Sequence, residues 1–200
     1  FRPQEKEPYA RLKYPEAYHI GNTFAMLVFG LKIDEFEYAF QLDGPYDESR
    51  GLLFDKNNVL LDPFAKAVTG QRNWGERPES DEGFVYHARV VENNFDWGKM
   101  TFPEIPAEDL IIYETHVRGF SKDASSGVTA GGTFEGLRQK IPYLKDLGVN
   151  AIELLPIFEF DEMESARVVD GVQLYNYWGY NTVSFFAPNT SYSSVVEHNH

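Results

Sequence analysis

The chain lacks cysteine, has few basic residues and contains no long apolar run. With no cysteine among 200 residues, disulfides and thiolate metal sites are excluded, and the composition fits a reducing compartment. Lysine and arginine total 18 against 31 acidic residues, and the net charge of −13 argues against a nucleic-acid partner, whose binding normally requires a basic face. No apolar run approaches the roughly 20 residues of a membrane span, and residues 1–19 lack a signal-peptide layout. We therefore expect a cytoplasmic protein with no nucleic-acid and no membrane partner.

The first half of the chain is typical of β-structure. Apolar and polar residues alternate over residues 36–42, which is the period of a half-buried strand with one solvated face. Together with the apolar run before them, they predict a hairpin connected by residues 30–34. Residues 84–91 predict a further short strand, and Asp62, followed by proline, predicts the start of a short helix. Trp74 stands alone in a polar segment.

The pattern changes after residues 95–108, a segment rich in proline, glycine and charge that is interpreted as a linker. Residues 110–120 are nearly continuously apolar and predict a strand buried on both faces. A helical periodicity follows, with Thr133 as its N-cap, a kink or restart at Pro142 and a terminating glycine. Residues 149–157 predict a second buried strand. Strand, helix and strand at this spacing indicate one βαβ unit with parallel strands.

An aromatic stretch, residues 175–192, follows the second of these strands. Seven of its eighteen residues are aromatic, where the chain average of 16% predicts about three; they are Tyr175, Tyr177, Trp178, Tyr180, Phe185, Phe186 and Tyr192. Such rings serve either as packing residues of the core or as a platform that stacks on a sugar or base. Rings set among glycine and asparagine favour a shaped, exposed turn. Because ligands gather at the carboxyl ends of parallel strands, the position favours contact with a ligand.

Three stretches resemble the α-amylase superfamily (glycoside hydrolase family 13), in its isoamylase and glycogen-debranching branch. GPYDESRGLLFDKNNVLLDPFAKAV resembles the last part of the N-terminal β-sandwich of isoamylase-type enzymes. DLIIYETHVRGF resembles the first barrel strand of the superfamily. VNAIELLPIFEFDE followed by NYWGYNTVSFFAP resembles the second strand and the loop above it. The resemblance covers residues 35–195.

This resemblance implies an α/β plus all-β architecture. Residues 1–94 would form the C-terminal part of a β-sandwich similar to a carbohydrate-binding module, residues 95–108 a linker, and residues 109–200 the start of a (β/α)8 TIM barrel. The implied reaction is hydrolysis of α-1,6 linkages in glycogen, starch or limit dextrins with retention of configuration. One carboxylate would attack the anomeric carbon, another would protonate the leaving oxygen and a third would bind sugar hydroxyls. The implied partner is thus a neutral α-glucan, and no cofactor is expected.

The resemblance also assigns three substrate-binding residues. Tyr180 matches the tyrosine that stacks on the sugar ring beside the cleaved bond, and Trp178 just before it is expected to contact sugar or support the site. Asn181 is the third candidate, although the family often has aspartate at this position. The catalytic carboxylates of the family lie on the fourth, fifth and seventh barrel strands, and the chain resembles only the first two. We therefore expect an internal fragment with no catalytic residue of its own, inactive in isolation and prone to self-association through its exposed sheet edge.

Other polar residues are assigned structural roles. The acidic group Glu159, Asp161, Glu162 and Glu164 is predicted to be solvated, and His116 to be a hydrogen-bonded strand residue. His198 and His200 lack an evident third ligand, so no metal site is expected. Two alternatives to the hydrolase fragment remain: a non-catalytic α-glucan-binding module and a nucleotide-binding domain. The second lacks a glycine-rich phosphate turn directly after Phe120.

Overall fold

The computed structural model describes residues 1–2, 5, 7–13, 18–69, 73–76, 86–92 and 94–195. Within them lie twelve short strands and three short α-helices. No helix in this part of the chain is long and apolar enough to cross a membrane. His198 and His200 fall outside the described residues, as do the first two positions of the strand predicted at 84–91.

The first half of the structure consists of short antiparallel pairs. Their strands are β1 (His19–Ile20), β2 (Thr23–Phe24), β3 (Tyr46–Asp47), β4 (Leu52–Leu53), β5 (Ala67–Val68) and β6 (Ala88–Arg89). Consecutive strands pair as β1–β2, β3–β4 and β5–β6. Isolated bridges join Tyr38 to Ala88 and Phe40 to Leu60. Strand β6 confirms the strand predicted at residues 84–91 at Ala88 and Arg89 only, among the residues of that range that are described.

The hairpin predicted around residues 30–34 is wrong. Residues 36–42 make their bridges with Ala88 and Leu60, which lie far along the chain, and not with the preceding apolar run. The burial departs from the predicted face at Glu37, which is 3% exposed, whereas Glu35 and Gln41 on the same side of the alternation are exposed. The Glu37 carboxylate lies 3.2 Å from Nδ1 of buried His87, so a polar partner from another segment draws this one side chain inward.

The helix predicted at Asp62 is a single turn. Asp62 Oδ1 accepts a hydrogen bond from the Phe64 N–H at 2.9 Å, which is the predicted capping contact. The Asp62 carbonyl accepts a hydrogen bond from the Ala65 N–H at 3.1 Å, which closes one turn. Among the described residues, no helix begins at this turn. The capping chemistry was therefore correct, although the element that it caps is a turn.

The predicted strand–helix–strand unit is confirmed in its topology. Its elements are β7 (Ile112–Thr115), α1 (Val117–Ser121), α2 (Phe134–Gln139), α3 (Ile141–Asp146) and β8 (Ala151–Leu154). Strands β7 and β8 pair in parallel, with Ile112 opposite Ala151 and Thr115 opposite Leu154. The first strand is shorter than predicted, because His116 caps α1 by accepting from the backbone N–H groups of Arg118 and Gly119. His116 is therefore a helix cap and not the strand residue that was expected.

The signals for the predicted helix held in detail. Thr133 caps α2, since its side-chain oxygen accepts from the Gly136 N–H at 3.2 Å. Pro142 lies in the first turn of α3, so the helix restarts there as predicted. Gly148 adopts a φ of 92° just after α3, and this left-handed conformation ends the helix.

The segment after β8 is built from two further strand pairs. It contains β9 (Phe158–Phe160), β10 (Arg167–Val169), β11 (Val172–Leu174) and β12 (Thr182–Pro188). Strands β10 and β11 form a hairpin, and β9 pairs with β12 in an antiparallel, irregular register. The aromatic stretch therefore begins after a hairpin and runs into a strand that pairs with β9.

Two apolar clusters organise the packing. One consists of Val117, Leu137, Phe160 and Tyr192, and it lies beneath the aromatic stretch. The other joins Ala187 of β12 to Ala65, Val68 and Ala88 of the first half. Strand β12 therefore contacts both halves of the chain. By contrast, Ile111 and Ile112 beside or in β7 are more than half exposed.

Candidate functional site

The candidate site lies at the carboxyl edge of the parallel pair β7–β8. His116 follows the last residue of β7, and its ring stacks on that of Tyr177 with centroids 4.1 Å apart and planes 8° apart. The His116 Nε2–H donates to the Tyr177 carbonyl at 2.8 Å. These contacts hold the turn at residues 175–181 above the strand ends, which is where a parallel α/β arrangement places ligands.

His116 is held in one neutral tautomer by its neighbours. Its Nδ1 accepts from the N–H groups of Arg118 and Gly119, both at 3.1 Å, so the ring proton resides on Nε2. Burial lowers the pKa of His116, and the nearby Arg118 charge lowers it further against the opposing effect of the Tyr177 carbonyl. At neutral pH the imidazole is therefore uncharged, and it supports Tyr177 by stacking and by its hydrogen bond.

Gly179 sets the shape of the turn between Trp178 and Tyr180. Its φ of +76° lies in the left-handed region, and a Cβ at this position would lie 2.5 Å from Cε1 of Phe160. Phe160 is fully buried and belongs to the cluster beneath the site. The backbone therefore runs directly against a core ring, and only glycine fits both the conformation and the space.

Trp178 and Tyr180, two of the predicted binding residues, are brought to the surface on either side of this glycine. Their side chains are 55% and 74% exposed, and the turn below them is in contact with the core. The Trp178 ring meets Tyr177 edge to face at 5.1 Å. Two large rings are thus exposed above a well-packed base, as the glycine and asparagine pattern predicted.

Asn181, the third predicted binding residue, is involved in holding the turn together. The Asn176 side-chain amide donates to Asn181 Oδ1 and to the Asp161 carbonyl. The Asn176 backbone N–H donates to the Glu162 carbonyl at 2.9 Å, and the Gly179 N–H to Asn176 Oδ1 at 3.4 Å. These bonds hold the turn in its conformation from inside, so the asparagines predicted to shape it do so.

The prediction that the acidic group is solvated is wrong for Glu159 and Glu162, which are both fully buried. Glu159 Oε2 accepts from the Thr190 N–H at 2.7 Å and from its hydroxyl at 2.5 Å. Burial raises the pKa of Glu159 to about 8, and the neighbouring acids Glu162 and Asp161 add to that rise. The groups that donate hydrogen bonds to the Glu159 carboxyl lie about thirty residues later in the chain. The neighbours of Glu159 in sequence therefore did not indicate that it is buried.

Glu162 anchors the same turn from a second point. Its Oε1 accepts from the Ser191 hydroxyl at 2.7 Å and from the Asn189 amide at 3.1 Å. Burial is the largest cause of a raised pKa for Glu162. Both carboxyls therefore hold the turn that places Tyr192 in the core. Among the described residues, no group of three histidine or acidic side chains is arranged to hold a metal ion.

Trp74 is the contributor to the site that sequence reasoning missed. Its ring is parallel to that of Tyr192, with centroids 5.9 Å apart, and the Arg118 guanidinium lies 4.6 Å from its centre. It also meets Tyr177 edge to face at 6.0 Å. The sequence signal was a lone tryptophan in a polar segment, which indicated a special role but not its location.

The arrangement combines two exposed rings with two buried carboxyls. Trp178 and Tyr180 present flat faces suited to the apolar side of a sugar ring. The carboxyls of Glu159 and Glu162 are buried and hydrogen bonded to the turn at residues 189–191. Neither is placed to reach a ligand resting on the exposed rings.

No family model matches the chain. Similar proteins include isoamylase 3, chloroplastic, of Oryza sativa subsp. japonica, 41% identical over 179 residues that cover 88% of this chain and 23% of the relative. Isoamylase 1, chloroplastic, of Arabidopsis thaliana is 38% identical, covering 81% and 21%. The glycogen operon protein GlgX homolog of Mycobacterium tuberculosis strain H37Rv is 34% identical, covering 79% and 24%. The chain thus spans about a quarter of the length of these relatives.

Solved structures of pullulanases are also similar. The type I pullulanase of Bacillus subtilis strain 168, complexed with maltose, has a TM-score of 0.56 and 26% identity, covering 83% of this chain and 21% of its own. The pullulanase SAP of Group B Streptococcus has a TM-score of 0.51 and 27% identity, covering 68% and 19%. Sequence and structure comparisons therefore point to the same group of proteins.

Proposed function

Because this chain belongs by sequence to the isoamylase and glycogen-debranching branch of the α-amylase superfamily, we propose that it is one segment of a debranching hydrolase. The proposed reaction is cleavage of α-1,6-glucosidic linkages in α-glucans with retention of configuration. The proposed contribution of this segment is one wall of the glucan-binding site, formed by Trp178 and Tyr180. Residues 1–94 are proposed to be part of a β-sandwich, 95–108 a linker and 109–200 the start of a (β/α)8 barrel.

The observation that carries this proposal is the pair of exposed rings on a fixed base. Trp178 and Tyr180 flank a glycine whose backbone touches the buried Phe160, so the backbone that carries the two rings is held in place by the core. A fixed backbone reduces the conformational freedom that is lost when a ligand binds. A neutral polymer also suits a chain with a net charge of −13. The pullulanase structure solved with maltose supports the same ligand class.

The isolated chain is proposed to bind without hydrolysing. A retaining glycosidase needs two carboxyl groups about 5 Å apart on either side of the bond. Glu159 and Glu162 are fully buried and held by the turn at residues 189–191, so they are not available for this role. The same observation favours the second candidate function, a non-catalytic α-glucan-binding module. Reducing sugar released from pullulan by the pure chain would exclude the binding module and contradict the inactivity expected of the segment.

The binding proposal is tested by titrating the chain with maltoheptaose in a calorimeter. Replacing Tyr180 or Trp178 with alanine is expected to weaken binding about tenfold each, the effect of losing roughly 1.4 kcal/mol of stacking and contact energy. Trp97→Ala is the matched control, because Trp97 is 65% exposed and distant in sequence from the turn. Absence of binding by the unchanged chain, or an equal loss in the control, would contradict the proposal.

Self-association and cytoplasmic location are further proposals. Ile111 and Ile112 lie at a sheet of only two strands and are 54% and 57% exposed, which leaves apolar surface for a second copy. Sedimentation of the isolated chain is expected to show species larger than a monomer, and a single compact monomer would contradict this. The similar plant isoamylases are named chloroplastic, so the compartment differs among relatives.

A further inference from the structure

We propose that Trp74 is a positioning residue for the glucan-binding turn, so that a segment from the first half of the chain sets the geometry of a site in the second half. This inference rests on the proposed glucan binding for its functional consequence. Its structural part concerns the contacts of Trp74 with residues more than forty positions away. Three contacts of the indole and one contact of the neighbouring Gly75 connect this segment to the aromatic stretch and its support.

The first contact is with Tyr192, at the end of the aromatic stretch. The Trp74 and Tyr192 rings are 6° from parallel with centroids 5.9 Å apart, and Tyr192 is fully buried. The Tyr192 hydroxyl lies 3.2 Å from His116 Nε2, the atom that also donates to the Tyr177 carbonyl. Tyr192 therefore connects Trp74 to the imidazole that supports the turn.

The second contact is with Arg118 in α1. Its guanidinium lies 4.6 Å from the centre of the Trp74 ring, within the range of a cation–π interaction. The backbone N–H of the same arginine donates to His116 Nδ1. Trp74 thus stabilises Arg118, and the backbone N–H of Arg118 helps to fix the tautomer and orientation of His116.

The third contact is made by the residue next to the tryptophan. Gly75 has a φ of +74°, and a Cβ there would lie 2.7 Å from the Tyr175 ring. A backbone hydrogen bond from Gly75 also reaches the Glu162 carboxyl. Residues 74 and 75 therefore touch the aromatic stretch near its start and at its end.

The fourth contact is with Tyr177 itself, whose ring lies between two others. One face stacks on His116 at 4.1 Å, and Trp74 meets the ring edge to face at 6.0 Å. Trp178 follows directly in the chain and packs its ring against Tyr177. A displacement of Tyr177 would therefore move the first of the two exposed rings, which is why the indole determines the geometry of the binding surface.

The test uses the 200-residue chain with Trp74→Leu, Trp74→Phe and the matched control Trp97→Leu. Leucine keeps apolar bulk but has no ring face, whereas phenylalanine restores a flat ring. The probes are amide hydrogen exchange at Asn176 and Gly179, whose N–H groups are hydrogen bonded in the turn, and the Kd for maltoheptaose. Trp74→Leu is expected to raise exchange at these amides and the Kd about tenfold, with Trp74→Phe within about threefold of the unchanged chain.

The outcomes separate this inference from the proposed function. If the unchanged chain does not bind maltoheptaose, the glucan-binding proposal fails, and exchange at Asn176 and Gly179 still decides the role of Trp74. Unchanged exchange there in Trp74→Leu would overturn the inference. So would an equal rise across the amides of β7 and β8, because it would show that Trp74 only contributes to general stability. Failure of phenylalanine to recover the effect would exclude ring stacking as the cause.

Discussion

Replacing Gly179 with alanine is expected to destabilise the fold and to disturb the binding turn, because two separate penalties meet at this position. The backbone has a φ of +76°, a conformation that costs an L-residue about 1–2 kcal/mol. The added Cβ would lie 2.5 Å from Cε1 and 2.6 Å from Cδ1 of Phe160. Phe160 is fully buried, so relieving this overlap requires movement of the core and costs roughly 1–3 kcal/mol. The summed loss in the free energy of unfolding is therefore about 2–5 kcal/mol.

Gly171→Ala provides the matched control for this substitution. Gly171 has a φ of +79° in the β10–β11 hairpin, and a Cβ there would meet nothing within 4 Å. It carries the conformational penalty alone, about 1–2 kcal/mol. Urea unfolding of both variants isolates the overlap with Phe160 as the difference between them. Only Gly179→Ala is expected to weaken maltoheptaose binding as well, since Trp178 and Tyr180 flank it. Equal losses of stability would refute the close contact between the turn and the core.

The remaining predictions concern Gly136 and Glu159. Replacing a helical glycine such as Gly136 of α2 with alanine would usually increase helix stability by about 1 kcal/mol. Here a Cβ would overlap the Ala130 carbonyl and lie 2.7 Å from Ser121 Oγ. We therefore expect Gly136→Ala to lose about 1–3 kcal/mol in the free energy of unfolding, measured by thermal unfolding, and a gain in stability would contradict the packing. Because the pKa of Glu159 is about 8 in the fold against an ordinary 4.5, its stabilising contribution is complete below pH 4.5 and is lost as pH rises through 8. Glu159→Gln, which can still accept from Thr190, is expected to remove this decline and add on the order of 1–3 kcal/mol at pH 9; unfolding curves from pH 4 to 9 that keep the same slope in the variant would contradict the assignment.

Local signals in the sequence were accurate wherever the physical cause is local. Thr133 caps a helix, Pro142 begins the next one and Gly148 ends it, because each effect acts within one turn of the backbone. The parallel pairing of β7 with β8 also followed from strand, helix and strand in succession. The exposed rings at 178 and 180 followed from glycine and asparagine beside them.

Predictions failed where the cause lies elsewhere in the chain. The run at residues 36–42 has the period of a strand, but it makes isolated bridges to distant segments, and Glu37 is buried because His87 is its partner in the interior. Glu159 appeared solvated among other acids, yet the hydroxyl and amide of Thr190 make its burial tolerable. Neighbours in sequence predict a solvated carboxyl correctly only if no distant residue donates a hydrogen bond to it. Only the tertiary structure shows whether such a donor is present.

The sequence by itself determined the parallel strand pair with its intervening helix, the turn that carries Trp178 and Tyr180, and the resemblance to debranching enzymes, since these depend on residue type and short spacing. Only the tertiary structure placed Trp74 against Arg118 and Tyr192, with His116 and Tyr177 supporting the turn. The reason is physical: side-chain propensities act over a few residues, whereas burial and ring stacking join whatever segments the fold brings together.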